Sequence, residues 1–106
     1  MTKIDTSPLD TKRMQVLEDA GRLISGDRER DYGTPQDNFA NIAVRWSQQV
    51  GVRIEPWQVT LMMLDLKLAR MATTQRPHDD SLIDAAGYAA LTAELAVDIA
   101  KNTEAP

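Results

Sequence analysis

The chain has 106 residues, of which 42% are hydrophobic and 26% charged, with a formal net charge of -4. That suffices for one domain with a modest core, and the negative balance argues against a surface that tracks nucleic-acid phosphates, which needs a positive excess. There is no cysteine, which excludes a disulfide framework or a thiolate metal site and fits a reducing compartment; no run approaches the roughly 18 apolar residues of a membrane span.

Met1 to Thr6 reads as a loose arm, with Lys3 but no apolar stretch of the kind a signal peptide carries. Ser7-Pro8-Leu9-Asp10 then reads as a helix start, Ser7 capping and Pro8 in the first helical position. Met14, Leu17, Ala20 and Ile24 follow at spacings of three and four and predict one apolar face, with Gly26 as the stop. Gly26 to Thr34 has no apolar period and reads as a loop. Thr34-Pro35-Gln36-Asp37 opens a second helix whose buried face is Phe39, Ile42, Ala43, Trp46 and Val50, ended by Gly51.

After a connector over Val52 to Glu55, Pro56 opens the third helix. Its apolar positions go nearly all the way round: Trp57, Val59, Leu61, Met62, Met63, Leu64, Leu66, Leu68, Ala69 and Met71. Such a helix is central to its fold or is buried partly by another subunit. Thr73 to Asp79, with Pro77, is the turn into a fourth helix capped by Asp80 or Ser81 and running past Ala96 with Ala-rich faces that allow close approach. Asn102 to Pro106 should fray. The expectation is an all-α, four-helix single domain over 1–106 that completes its core as a dimer or higher homo-oligomer.

Polar residues in the last two helices are few and regularly spaced. Lys67 and Arg70 are three apart; Asp80, Asp84 and Tyr88 are successively four apart. Each set shares a helix face. An antiparallel hairpin would set Arg70 opposite the first turn of the fourth helix and Lys67 near Asp84 or Tyr88. Two readings stand: a salt-bridge network that fixes the hairpin register, or a polar pocket that binds phosphate through Lys67 and Arg70 or a divalent cation through Asp80 and Asp84.

The segment Asp27-Arg28-Glu29-Arg30-Asp31-Tyr32 is a second constellation. It reads as a solvated loop or as a ligand contact, with Arg28 or Arg30 on phosphate and Tyr32 stacking on a base or plugging the core. His78, the single histidine, reads as an exposed turn residue, and Trp46 and Trp57 as core. Glu18, Asp19, Glu94 and Asp98 read as solvated faces. There is no phosphate-binding Gly-rich loop and no zinc pattern, and a His-based acyl-transfer triad has no partners here.

Gly26-Asp27-Arg28, Asp31-Tyr32-Gly33, Asn38-Phe39, Ile42-Ala43, Trp46, Leu66 to Arg70, and Asp80-Ser81 through Asp84 to Gly87-Tyr88 together resemble a family of small phage and prophage proteins of unknown function. The likeness runs over about residues 14 to 95 and implies residence in the cytoplasm of a bacterial host. More remotely, the acidic start of the fourth helix leading into Gly87-Tyr88-Ala89 is similar to the all-α nucleoside triphosphate pyrophosphohydrolases of the MazG type. Those enzymes are helical, oligomeric and Mg²⁺-dependent, with a Glu-x-x-Glu pair on one helix and a Glu-x-x-Asp pair on another. This chain departs from that pattern: its middle helices lack Glu-x-x-Glu, Asp80 and Asp84 are four apart, and Asp65 is the only carboxylate inside the third helix.

The resemblance implies Asp80, Asp84 and Asp65 as metal ligands, with waters completing the shell. As a hydrolase, the chain would attack a nucleotide phosphoanhydride with a metal-bound water, with Asp80 and Asp84 on the metal and Lys67 and Arg70 stabilising phosphate charge. As a non-catalytic nucleotide binder it would use Arg28, Arg30, Tyr32, Lys67, Arg70 and Tyr88. As an interaction module, all these charges would serve register and solubility.

Overall fold

The computed structural model describes the backbone of residues 11–104 and the side chains of that span other than 27, 28 and 98–104. Five helices follow one another: α1 (Lys12–Leu23), α2 (Asp27–Tyr32), α3 (Pro35–Val50), α4 (Pro56–Thr74) and α5 (Asp79–Glu104). Among the described residues there is no strand, and the helices form one all-α domain.

Each helix start has a local cause. Thr11 caps α1, its Oγ1 accepting from the Met14 N–H at 3.3 Å; the expected arm and the Ser7-Pro8 start lie outside the described residues. Thr34 caps α3 in the same way, accepting from the Asp37 N–H at 3.1 Å with Pro35 in the first turn, and Gly51 closes it. At α4 the Glu55 N–H donates to Gln58 Oε1 at 2.8 Å, one arm of a capping box at the helix entrance. The connector before it is pinned to α3 by Ser47, whose Oγ accepts from the Ile54 N–H at 2.7 Å.

The segment expected to be a loop contains α2. Six residues of Asp, Arg, Glu and Tyr need no apolar period to make one and a half turns, because Arg and Glu are good helix formers. Gly26 and Gly33 bracket it at φ 64° and 85°, outside the right-handed helical region, so α2 cannot merge with its neighbours. α5 starts at Asp79, so Asp80 and Ser81 lie in its first turn rather than capping it. It continues as helix through Asn102 to Glu104, where fraying was expected; residues 105–106 lie outside the described residues.

α4 and α5 form the frame. Thr92 Oγ1 donates to Thr60 Oγ1 at 2.7 Å, and Lys67 Nζ pairs with Asp84 Oδ2 at 2.9 Å. Partners that run up one helix and down the other define an antiparallel hairpin. His78 locks its turn: Nε2 lies 2.7 Å from Thr74 Oγ1 and Nδ1 lies 3.2 Å from Ser81 Oγ. The expectation of an exposed histidine is therefore corrected, because the ring is tucked between the ends of two helices and is half-buried.

α1 runs parallel to α5. Lys12 Nζ reaches Asp79 Oδ2 at 2.6 Å, and further along Ile24 lies against Gly87. A Cβ on Gly87 would sit 2.9 Å from Ile24 Cγ2, so this close approach requires glycine. The core is Phe39 and Ala43 of α3, Val59 of α4, and Leu91 and Leu95 of α5, with Ile24, Ile42, Trp46, Ile54, Trp57 and Tyr88 packed against it. Two expected core positions lie outside it: Leu17 is 55% and Val50 60% exposed. α1 turns Ala20 inward, and Val50 is the last residue of α3, next to the Gly51 cap.

Candidate functional site

The parallel seam between α1 and α5 does not close. Between the two helices lies a cavity of about 130 Å³ lined by Leu23, Ile24, Asp84, Tyr88 and Leu91. It shares Leu23 and Asp84 with an open cleft of about 570 Å³, whose other walls are Asp19, Arg22, Asp80 and Ile83. The two adjoin through these shared residues, and each mixes apolar walls with carboxylates. The inner end of the cavity adjoins α2: Glu29 and Gly33 line a small crevice that shares Ile24 and Leu91 with the cavity.

Asp84 stands where the two parts meet, and α4 supplies its partner. The Lys67 side chain is only 14% exposed and that of Asp84 30%, so the pair is largely withdrawn from water. An ion pair so placed draws its stability from hydrogen bonding and low dielectric rather than from surface attraction. One turn earlier on α5, Asp80 is exposed at the mouth. Across from it, Arg22 bonds Asp19 Oδ1 at 2.5 Å and also holds Glu18; hydrogen bonding with Glu18, then Asp19, raises the guanidinium's pKa. Sequence reading assigned Glu18 and Asp19 to a solvated face. Asp19 lines the cleft because α1 lies alongside α5, and only its three-residue spacing to Arg22 hinted at an organised group.

The residues singled out from the sequence divide in space. Asp84, Asp80 and Tyr88 line the seam, and Lys67 of α4 reaches it through its ion pair with Asp84. Arg70 is exposed and makes no ion pair with a described carboxylate. Arg30 and Tyr32 are exposed on α2, where Arg30 Nε lies 3.8 Å from Asp31 Oδ1; the Arg28 side chain lies outside the described residues. Asp65 lines a separate groove on α4 with Leu61, Met62, Leu64 and Leu68. Among the described residues, no three of His, Asp and Glu are grouped closely enough to hold a metal ion. A dedicated magnesium site of several protein carboxylates does not fit this arrangement.

The model of a domain family of unknown function, DUF6378, matches residues 15–96, which spans α1 through most of α5 and the whole seam. This chain belongs to the DUF6378 family. The DUF6378 chain is similar to the Gene 55 protein of Mycobacterium phage D29, with 42% identity over 74 residues, 70% of this chain and 48% of that protein. It is similar also to the Gene 55 protein of Mycobacterium phage L5, with 39% identity over 77 residues, 72% of this chain and 49% of that protein. The DUF6378 chain thus spans about half the length of the curated relatives it matches. No solved structure matches it. Among the described residues no helix is long and apolar enough to cross a membrane. The family is phage-type, and its function is not assigned.

Proposed function

We propose that this phage-type protein handles nucleotides, holding one in the seam between α1 and α5. The observation that carries the reading is the withdrawn Lys67–Asp84 pair, whose carboxylate lines a cavity walled also by Tyr88, Leu23, Ile24 and Leu91. Ligand sites combine apolar walls with a few fixed polar groups, and this depression has both. Tyr88, Leu23 and Ile24 offer a surface for a base. Lys67 offers a cation that phosphate can share, while Asp84 and Asp80 accept from sugar or base donors. Arg28, Arg30 and Tyr32 belong to α2, which borders the inner end of the cavity, and are the candidate further contacts. Arg70 follows Lys67 by three residues on α4 and is the candidate cation for a second phosphate.

Binding is favoured over hydrolysis by the donor set. Asp80 and Asp84 are one turn apart, Asp84 already serves Lys67 and Asp19 across the cleft serves Arg22, so among the described residues no three carboxylates converge on a metal position. Magnesium in this reading arrives with the nucleotide's phosphates. The test is one incubation of the pure protein with ribonucleoside and deoxyribonucleoside triphosphates and cyclic nucleotides in Mg²⁺, followed by denaturation and mass spectrometry. An intact nucleotide retained by the protein, and lost in Lys67→Met, is the expected result. Monophosphate products that vanish with chelator would move the assignment to a MazG-like pyrophosphohydrolase with Asp80 and Asp84 on the metal. A protein that retains and cleaves nothing would overturn the reading.

A further inference from the structure

The α1–α5 cavity meets its ligand with acceptors. The polar side chains in its wall are those of Asp84 and Tyr88; Leu23, Ile24 and Leu91 supply the rest. Asp84 Oδ2 is held by Lys67 Nζ at 2.9 Å, while Asp84 Oδ1 has no hydrogen-bond or ion-pair partner among the described residues. An ionised carboxylate only accepts, and its two oxygens offer several lone-pair directions, so both remain open to donors from the cavity. A ligand that brings an acceptor instead turns it against negative oxygen at a position withdrawn from water, where an unmet polar group is costly.

The shape of the cavity narrows what brings those donors. Its about 130 Å³ is room for one flat ring system and not for a whole nucleotide. A ribose would turn hydroxyls against Leu23, Ile24 and Leu91. A base gives apolar faces to those walls and keeps its polar atoms on its edge. The edges differ in what they carry. Guanine sets N1–H and N2–H side by side, at the spacing of two carboxylate oxygens. Adenine and cytosine set one amino group next to a bare ring nitrogen, and uracil and thymine flank one N–H with two carbonyls. Each of those four makes one bond at best and points an acceptor at the second oxygen. Paired donors on one carboxylate are the strong and selective arrangement.

We propose that the seam selects guanine nucleotides, with the Asp84 carboxylate accepting from N1–H and N2–H of the base. The proposal rests on the nucleotide reading above and adds the identity of the base. In this pose Asp84 serves the base and not the sugar, with Lys67 on its Oδ2. The sugar points away from the exposed Asp80 of the cleft, whose charge repels phosphate, and toward α2, which borders the inner end of the cavity and carries Arg28 and Arg30.

Calorimetric titration of the full chain in Mg²⁺ with GTP, ITP, ATP, CTP and UTP tests it. GTP is expected to bind about 10- to 100-fold tighter than ATP, CTP and UTP, and ITP, which lacks the N2 amino group, about tenfold weaker than GTP. Equal affinity for all the bases, tightest binding of another base, or ITP equal to GTP would overturn the guanine assignment and leave the nucleotide reading in place. No binding of any would overturn both. Asp84→Asn puts an amide donor where an acceptor stood. It is expected to lose the preference for GTP and to gain affinity for XTP, whose C2 carbonyl accepts from that amide. A variant that weakens every nucleotide by the same factor would show Asp84 to be structural and overturn the proposal. If Asp84→Asn does not fold, the GTP-to-ITP ratio of the unaltered chain decides the matter by itself.

Discussion

Replacing one member of the Lys67–Asp84 pair should cost far more than replacing the second after it. At 2.9 Å and an effective dielectric near 20, the attraction amounts to about 6 kcal/mol. Desolvating the two ions offsets most of that, though incompletely, because Asp84 keeps 30% of its side chain in water and Lys67 14%. The net coupling should therefore exceed the about 0.2–1 kcal/mol of exposed pairs and fall below the about 3–5 kcal/mol lost when a fully buried pair is broken. Asp84→Asn keeps the shape and strands the Lys67 ammonium; Lys67→Met keeps the stem and strands the carboxylate. Each should destabilise by about 2 kcal/mol, and the double variant by about 2 rather than 4, since no unpaired ion remains. Urea unfolding followed by circular dichroism at one pH gives all four corners of the cycle. Additivity within about 0.5 kcal/mol would refute the claim that this pair ties α4 to α5.

Two further predictions concern the backbone. Gly87→Ala gains about 1 kcal/mol of helix propensity but forces a Cβ to within 2.9 Å of Ile24 Cγ2, a branch fixed next to the Ile24 backbone rather than a flexible tip. Overpacking of about 1–3 kcal/mol wins, so thermal denaturation should show a net loss of about 1 kcal/mol that disappears in an Ile24→Ala background; a gain in stability would contradict the close α1–α5 approach. Gln75 holds φ 60° at the end of α4, a left-handed conformation that costs an L-residue about 1–2 kcal/mol. Gln75→Gly should therefore raise stability by about 0.5–1 kcal/mol in chemical denaturation.

Much of the fold was legible because it rests on local rules. Thr34-Pro35 and Pro56 mark real helix starts, Gly51 a real end, and Phe39, Ala43 and Val59 a real core. Lys67 does meet Asp84, as an antiparallel hairpin with a short turn dictates. The failures share a cause. α2 was read as a loop because periodicity reports burial, and a short charged helix buries little. Leu17 and Val50 were read as core because an apolar period does not say how far a neighbouring helix extends. His78 was read as exposed because its hydroxyl partners, Thr74 and Ser81, come together only once the turn closes.

The candidate site divides along the same line. Spacing alone put Asp80, Asp84 and Tyr88 on one face of one helix, because 3.6 residues make a turn whatever surrounds it. That α1 lies parallel to that helix, bringing Asp19, Arg22 and Leu23 to it while Asp65 lines a groove elsewhere, was not written in any local pattern. It rests on Gly87 admitting Ile24 and on Lys12 reaching Asp79, contacts between residues more than sixty positions apart. The sequence by itself determined which residues form helices and which face of each is apolar, since both depend on neighbours three and four residues away. Only the tertiary structure decided which faces meet and where the seam stays open, because those depend on contacts between residues far apart in the chain.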